Sequence, residues 1–327
     1  MLRFLTVRPL VAILWIVLIL TADFWIGFNV TKQWRAAAFP TVEAVVTSSS
    51  LEYGTSRRRT SGPVIRYAYV VDGTRHEGDT FQYGNYTSSD WQWARAMVRA
   101  HPVGATTRVH YDPRNPSDSV IDPGLHGSDL FLALFLTPFN AIGLGLLFAP
   151  MARERMRASE GAGVRWRDDG EKIRVRMPRH FSPLAAGIAV FAFAAFALSI
   201  LVGFSFGLHP SMSVMVGVWA VVLAAGASAA TYCWLREMRG DVDLVIDKVG
   251  GAVSLPATFD RKARVAMARA DVRGVEVKAY EQPGSPGTIV HGVRIVQRSG
   301  AWEVVAERED AESAESLARW LRGKLGV

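Results

Sequence analysis

The residues of this chain whose types could do chemistry are few and scattered. Asp23 is a carboxylate inside the apolar run VAILWIVLILTADFWIGFNV, residues 11–30. A mid-membrane carboxylate costs about 2.5–3.5 kcal/mol, so Asp23 is the candidate intramembrane polar residue for a proton or ion step. It stands a turn or two from the far end of the run, where that cost falls, and no Lys or Arg lies inside the other apolar blocks to pair with it. His76, Glu77, Asp79, His101, His110 and Asp112 carry metal-ligand chemistry, but a zinc or calcium site needs three or four of them to converge and their spacing matches no ligand pattern. Asp112, Asn115, Asp118 and Asp122 lack the glycine of a calcium loop. Thr47, Ser48, Ser49, Ser50 and Ser61 read as strand-end and loop residues, and there is no G-x-S-x-G elbow, P-loop or G-x-G-x-x-G. Cys233 is the single cysteine, so neither an internal disulfide nor a cysteine zinc site is available. No catalytic, cofactor-binding or metal residue is assigned, no cofactor is expected, and an enzyme is not expected. The candidate interaction residues are basic: Arg57, Arg58 and Arg59 in a Gly/Ser/Thr loop, and Arg261, Lys262 and Arg264 near the C-terminal end. Such clusters can meet an acidic partner or anionic lipid, at roughly 1 kcal/mol per residue near a charged membrane surface.

The elements that would position these residues are set by segregation of the chain into apolar and polar blocks. Half of the 327 residues are hydrophobic, yet 20% are charged and the net charge is +7. Four blocks reach the roughly 20 apolar residues a bilayer-crossing helix needs. They predict spanning helices at the end of an N-terminal segment 1–30 and over 128–151, 183–208 and 212–236. The first is too long for the core of a cleaved signal, and Ala36-Ala37-Ala38 lies past its end, so it reads as an uncleaved anchor. Arg3 and Arg8 precede the first block, a basic linker (152–182) follows the second, and Arg236 and Arg239 follow the fourth, whereas the connector around His209 and Pro210 has no Lys or Arg. The positive-inside rule then places both termini and 152–182 in the cytoplasm and residues 31–127 outside. The charge flanks the spans without aromatic interleaving, so nucleic acid is not an expected partner.

Between the first two spans, Val42, Ala44 and Val46 alternate as in a half-buried strand. Asp72-Gly73 predicts a tight hairpin between the strand 64–71 and the strand 74–81. Ser89 with Gln92 resembles a capping box for a short helix ended by His101-Pro102, and 106–111 reads as another strand before the turn chemistry of DPRNPSD. Trp34, the strand TVEAVVTSS, the hairpin RYAYVVDG, the run HPVGATTRVHYDPRNPSDSVIDPG and the following apolar helix together resemble the DUF3592 family of bacterial membrane proteins, over about residues 31–150. His76 departs from the aromatic residue that family tends to have after the hairpin turn. The resemblance implies a bacterial membrane protein and no defined activity.

Residues 240–327 read as strands over 242–247, 252–255, 264–268, 272–278, 290–297 and 302–307, with a flexible loop EQPGSPG (281–287). A helix closes the chain, with Ala314, Leu317, Ala318, Leu321 and Leu325 as its apolar stripe and Asp310 as its cap. This order of elements resembles the pleckstrin-homology-like architecture. The segment 164–177, centred on Asp169-Gly170, predicts a hairpin that can extend the same sheet.

The fold expected is therefore an α-helical polytopic membrane protein with four transmembrane helices and two small β-rich α+β domains, one on each side, in a bacterial inner membrane. The function expected is a non-enzymatic scaffold that binds membrane lipids and protein partners through its β domains. A transmembrane signal or stress sensor and a transporter accessory component are the alternatives. Small-xxx-small pairs, Ala185 with Ala189, Ala225 with Ala229 and Gly226 with Ala230, serve helix packing within the chain or a homo-oligomer.

Overall fold

A computed structural model describes residues 2–53, 61–84, 91–158, 164–176, 182–257, 261–282, 287–308 and 310–327. They form two compact units, one of Met1–Leu146 with Ala189–Gly226 and one of Leu147–Ile188 with Ala227–Val327. Among the described residues, four helices are long and apolar enough to cross a membrane.

In the first unit, helix α1 runs from Leu2 to Ala36. At 1.5 Å per residue its 35 residues span about 52 Å, more than the roughly 30 Å of a bilayer core. The helix continues past the expected end of the span near Val30 to Ala36, which is fully buried. Within it Thr21, Asn29 and Thr31 return their side-chain hydrogen bonds to the carbonyls of Val17, Trp25 and Gly27, so each polar group is satisfied by its own helix.

A five-stranded antiparallel sheet follows, built from β1 (Thr41–Tyr53), β2 (Ser61–Val71), β3 (Thr74–Gly78), β4 (Thr106–Asp112) and β5 (Asn115–Val120), in the order β3-β2-β1-β4-β5. Asp72 and Gly73 both take positive φ, 52° and 77°, which the tight β2–β3 turn requires. The sequence reads 112–118 as turn chemistry, but only Pro113-Arg114 turns. Asp112 Oδ1 accepts from Arg114 N at 2.9 Å, and β5 then pairs with β4. Pro116 fits because β5 is an edge strand whose outward amide needs no partner. The two edges approach each other: Ser117 Oγ lies 3.3 Å from His76 Nδ1, and a Cβ on Gly78 would press on Ser119 Oγ. Inside, the Tyr67 hydroxyl, fully buried, reaches Thr80 O at 3.1 Å and Ser119 O at 3.0 Å. Burial pushes the ionisation of this phenol well above its ordinary range. Helix α2 (Trp91–Ala100) packs Trp93 and Met97 against Val46, Ile65 and Phe81. The capping box expected at Ser89 lies outside the described residues.

Helix α3 (Gly127–Ala158) starts directly beneath this sheet domain, and α4 (Pro183–Phe206) and α5 (Met212–Arg239) join it. Phe131 and Leu134 of α3, Ala195 and Val202 of α4, and Met215 and Val222 of α5 form one core. Trp219 Nε1 donates to Leu130 O at 3.2 Å and its ring meets Phe191. The α4–α5 connector closes on the start of α3 so tightly that a Cβ on Gly127 would overlap the Pro210 carbonyl. His209 stacks on Trp93 of α2 at 3.7 Å between centroids.

The second unit is a β domain in two sheets. The first contains β6 (Arg165–Asp168), β7 (Lys172–Arg176), β8 (Asp243–Asp247), β9 (Ala252–Leu255) and β10 (Val265–Ala268), in the order β10-β9-β8-β7-β6. The hairpin expected over 164–177 is the β6–β7 pair, and it extends this sheet through β7–β8, with Lys172 opposite Asp247 and Arg176 opposite Asp243. One sheet is therefore completed by strands from both sides of the α4–α5 helix pair. The second sheet is β11 (Val272–Glu281), β12 (Ile289–Gln297) and β13 (Trp302–Arg308). Helix α6 (Ala311–Leu325) covers both with the buried stripe Ala314, Leu317, Ala318, Leu321 and Leu325. Asp310 caps it by accepting from Ser313 N at 2.6 Å, and Gly326 ends it in the left-handed region at φ 72°.

Candidate functional site

A dense polar constellation occupies the joint where α1 and α3 meet the first sheet domain. Its centre is Gln33, 1% exposed, on the last turn of α1. Its amide nitrogen donates to Asp122 O at 2.7 Å and lies 3.2 Å from His126 Nδ1, while its carbonyl oxygen accepts from Tyr83 N at 2.9 Å. Asp122 Oδ2 accepts from Gln82 at 2.8 Å and lies 3.1 Å from His126 Nε2. His126 also enters α3, where its backbone N–H donates to Asp129 Oδ2 at 2.9 Å, a capping arrangement for the first turn. Beside this, Lys32 bridges to Asp118 at 2.8 Å and stands 4.2 Å over the ring of Tyr83, whose hydroxyl donates to Asp118 Oδ1 at 2.7 Å.

The ionisation of this joint follows from its contacts. Burial alone would raise the Asp122 carboxyl, but hydrogen bonds from His126 and Gln82 outweigh it and hold the group below the usual carboxylate range. Burial alone would lower the His126 imidazole, but its bond to Asp122 and the charges of Asp122 and Asp129 outweigh that and raise it. Each member of the pair favours the charged form of the other.

Asp23 lies on α1, within the stretch Val11–Ala36 that is long and apolar enough to cross a membrane. Its partner is neutral: Asn140 of α3 donates to Asp23 Oδ1 at 3.1 Å. Trp15 locks the same helix pair, with Nε1 3.4 Å from Phe139 O and its ring against Phe139. The arrangement satisfies one carboxylate oxygen between two apolar helices.

The basic candidates separate. Arg57, Arg58 and Arg59 lie outside the described residues. Arg261 is turned inward: Nε donates to Glu303 at 3.0 Å, Nη1 to Pro256 O at 2.9 Å and Nη2 to Val304 O at 2.6 Å. Arg264 Nη2 reaches the carbonyls of Gly240, Asp241 and Asp243 at 2.9–3.2 Å, closing the exit of α5. Both guanidinia therefore hold the domain together, while Lys262 is exposed. A separate set of four arginines, Arg165, Arg167, Arg174 and Arg176, lines a cavity of about 320 Å³ beside the last turn of α5.

The metal-type residues stay apart. His76 stacks on Tyr69, His101 packs edge-on to Phe81 and ends α2 through Met97 O, and His110 Nδ1 lies 3.2 Å from Phe39 O. Asp112 makes the β4–β5 turn, and Glu77 pairs with Arg75 at 3.2 Å. No group of three potential metal ligands occurs among the described residues. Sequence reasoning missed Gln33, Lys32, His126 and Asn140. The available signal was positional: Lys32-Gln33 leave one apolar block and His126 enters the next, so the two flanks must meet if the helices run antiparallel.

Residues 42–126, which hold Gln82, Tyr83, Asp118, Asp122 and His126, match the family described as a domain of unknown function, DUF3592. The match is narrower at both ends than the resemblance over 31–150, and the helix residues of the joint fall outside it. No curated protein matches the chain.

Proposed function

We propose that the chain is a non-enzymatic membrane adaptor that presents a small β domain on each face of a bilayer and recruits protein partners through them. One observation carries the reading: each β domain is built into its helices rather than hung from them. The last turn of α1 supplies Gln33 and Ala36 to the interior of the first domain. The first sheet of the second domain is completed by β7, before α4, and β8, after α5. Domains fixed in this way hold their surfaces at a set orientation to the membrane, which suits recruitment.

The path of the chain supports the orientation. Because β7 and β8 pair, α4 and α5 must together return the chain to the side it left. The α4–α5 connector meets the start of α3 and α2, so it shares a side with the DUF3592-like domain. With basic flanks inside, the reading places both termini in the cytoplasm and residues 31–127 outside, in a bacterial inner membrane. Two successive meanders, β7–β10 and β11–β13, closed by α6 support a pleckstrin-homology-like reading of the inner domain.

The outer sheet offers a recruiting surface at Val45 and Val70, 49% and 54% exposed on one face of β1–β2. The test places a photo-crosslinking residue at Val70 and, separately, at Ile289 in the full chain in its native membrane. A discrete, saturable adduct at either position, with the same protein recovered each time, is the expected result. Absence of adducts at both overturns the reading. A second reading, a transmembrane sensor, is favoured by the His126–Asp122 pair at the joint, and predicts that the adduct at Ile289 changes with external pH.

A further inference from the structure

We propose that the face of the β6–β7 hairpin beside the end of α5 is a binding site for the phosphate of an anionic phospholipid headgroup. The proposal rests on α5 being a membrane span.

The charges are arranged in an unusual way for a sheet. Arg165 lies directly opposite Arg176, and Arg167 directly opposite Arg174. Residues two apart on a strand share a face, so four guanidinia stand together on one side of a two-stranded ribbon. Like charges in directly opposed positions destabilise a sheet, and a bound anion removes that repulsion. The protein supplies only part of the compensation. Arg176 sits 3.5 Å from both Glu237 and Asp243, and Arg174 reaches Asp169 at 3.9 Å. Among the described residues, Arg165 and Arg167 make no ion pair, and both are exposed. Four cations against two lining carboxylates, Glu237 and Asp243, leave the cavity cationic.

Size and location choose the anion. About 320 Å³ exceeds what one or two waters fill and lies at the small end of ligand pockets. Arginine forks bind phosphate through paired N–H bonds, and four of them within one face can hold one phosphate from two sides. One wall is Glu237, Met238 and Gly240, where the apolar α5 ends, and Met238 is 67% exposed with Trp234 and Leu235 exposed just before it. That is the depth at which a span passes through headgroups, so the phosphate nearest the site belongs to lipid.

The test is native mass spectrometry of the full-length protein in detergent with phosphatidylglycerol or phosphatidylcholine added, and inorganic phosphate as competitor. Retention of phosphatidylglycerol is expected to exceed that of phosphatidylcholine about tenfold, and Arg165→Gln/Arg167→Gln is expected to abolish the preference. Arg165→Lys/Arg167→Lys, which keeps the charge at this exposed edge, retains most of it. Equal retention of the two lipids overturns the proposal, as does an unchanged preference in the Gln pair or its complete loss in the Lys pair. Displacement by millimolar phosphate assigns the site to a soluble anion and overturns the lipid source. If α5 were not a span, retention of both lipids would fail together, whereas failure of the site alone removes only the anionic preference.

Discussion

At the scale of single residues, the His126–Asp122 pair makes a defined pH prediction. His126 titrates above its ordinary 6.5 when folded, so its contribution is full below that value and is lost as pH rises through the folded value. Asp122 titrates below its ordinary 3.8, so its contribution is present above that value and is lost as pH falls through the folded one. The pair is strongest between the two ordinary values, 3.8 and 6.5. Thermal unfolding of the purified full chain should show a stability maximum in that window that His126→Ala flattens. The expected loss is about 1 kcal/mol, a net hydrogen-bond contribution kept small because the Asp122 side chain is 45% exposed and screened. Gly127 gives a sharper contrast. A Cβ there meets the Pro210 carbonyl, which is backbone and cannot rotate away, whereas one on Gly143 in the same helix meets nothing within 4 Å. Gly127→Ala should destabilise the chain by roughly 1–3 kcal/mol, while Gly143→Ala should stabilise it by up to about 1 kcal/mol through helix propensity. Equal unfolding temperatures for the two variants would show that the connector does not close on α3 as described.

Individual elements were legible in the sequence wherever a local rule decided them. The four apolar helices needed only a count of consecutive apolar residues. The β2–β3 turn followed from Asp72-Gly73, and α6 from its 3.6-residue stripe and Asp310. The misses have a common cause in contacts distant in sequence. The extension of α1 to Ala36 was hidden because Lys32 and Gln33 look like the end of a span until Asp118, Asp122 and Tyr83 arrive as their partners. Strand β5 was hidden by prolines that only an edge position tolerates. Asn140 was passed over because nothing local says it faces Asp23. Arg261 and Arg264 look like a solvated basic run by composition, yet their donors are used up by carbonyls and a carboxylate contributed from other elements. The Asp23–Asn140 pair can be checked at this scale. Asp23→Leu leaves the Asn140 amide without its acceptor, so it should destabilise the α1–α3 contact more than the double variant Asp23→Leu/Asn140→Leu, in which both polar groups are gone. Unfolding of the two proteins in the same detergent decides it, and a double variant weaker than the single one would contradict the pairing.

For the whole molecule, the proposed arrangement is tested by accessibility. In a Cys233→Ala background, single cysteines at Thr74, Lys248 and Ser299 report the DUF3592-like domain, the five-stranded inner sheet and the β12–β13 turn. A membrane-impermeant maleimide added to intact cells should label only the Thr74 variant, and permeabilisation should expose the other two. Labelling of all three, or of Lys248 and Ser299 alone, would require another path for the chain. The pairing of β7 with β8 also has a consequence for biogenesis. When β7 leaves the ribosome its neighbour β8 does not yet exist, and the intervening residues take roughly 3–13 s to synthesise at 5–20 residues per second. Through that interval the edge of β7 carries unpaired amides and carbonyls, and Ile173 and Val175, buried at maturity, have nothing to pack on. In the proposed arrangement they find cover only after α4 and α5 have both crossed the bilayer and brought β8 back to β7. Until both helices have been made and β8 has come back to β7, the sheet cannot close, and an open edge of the kind that pairs with other strands stays exposed.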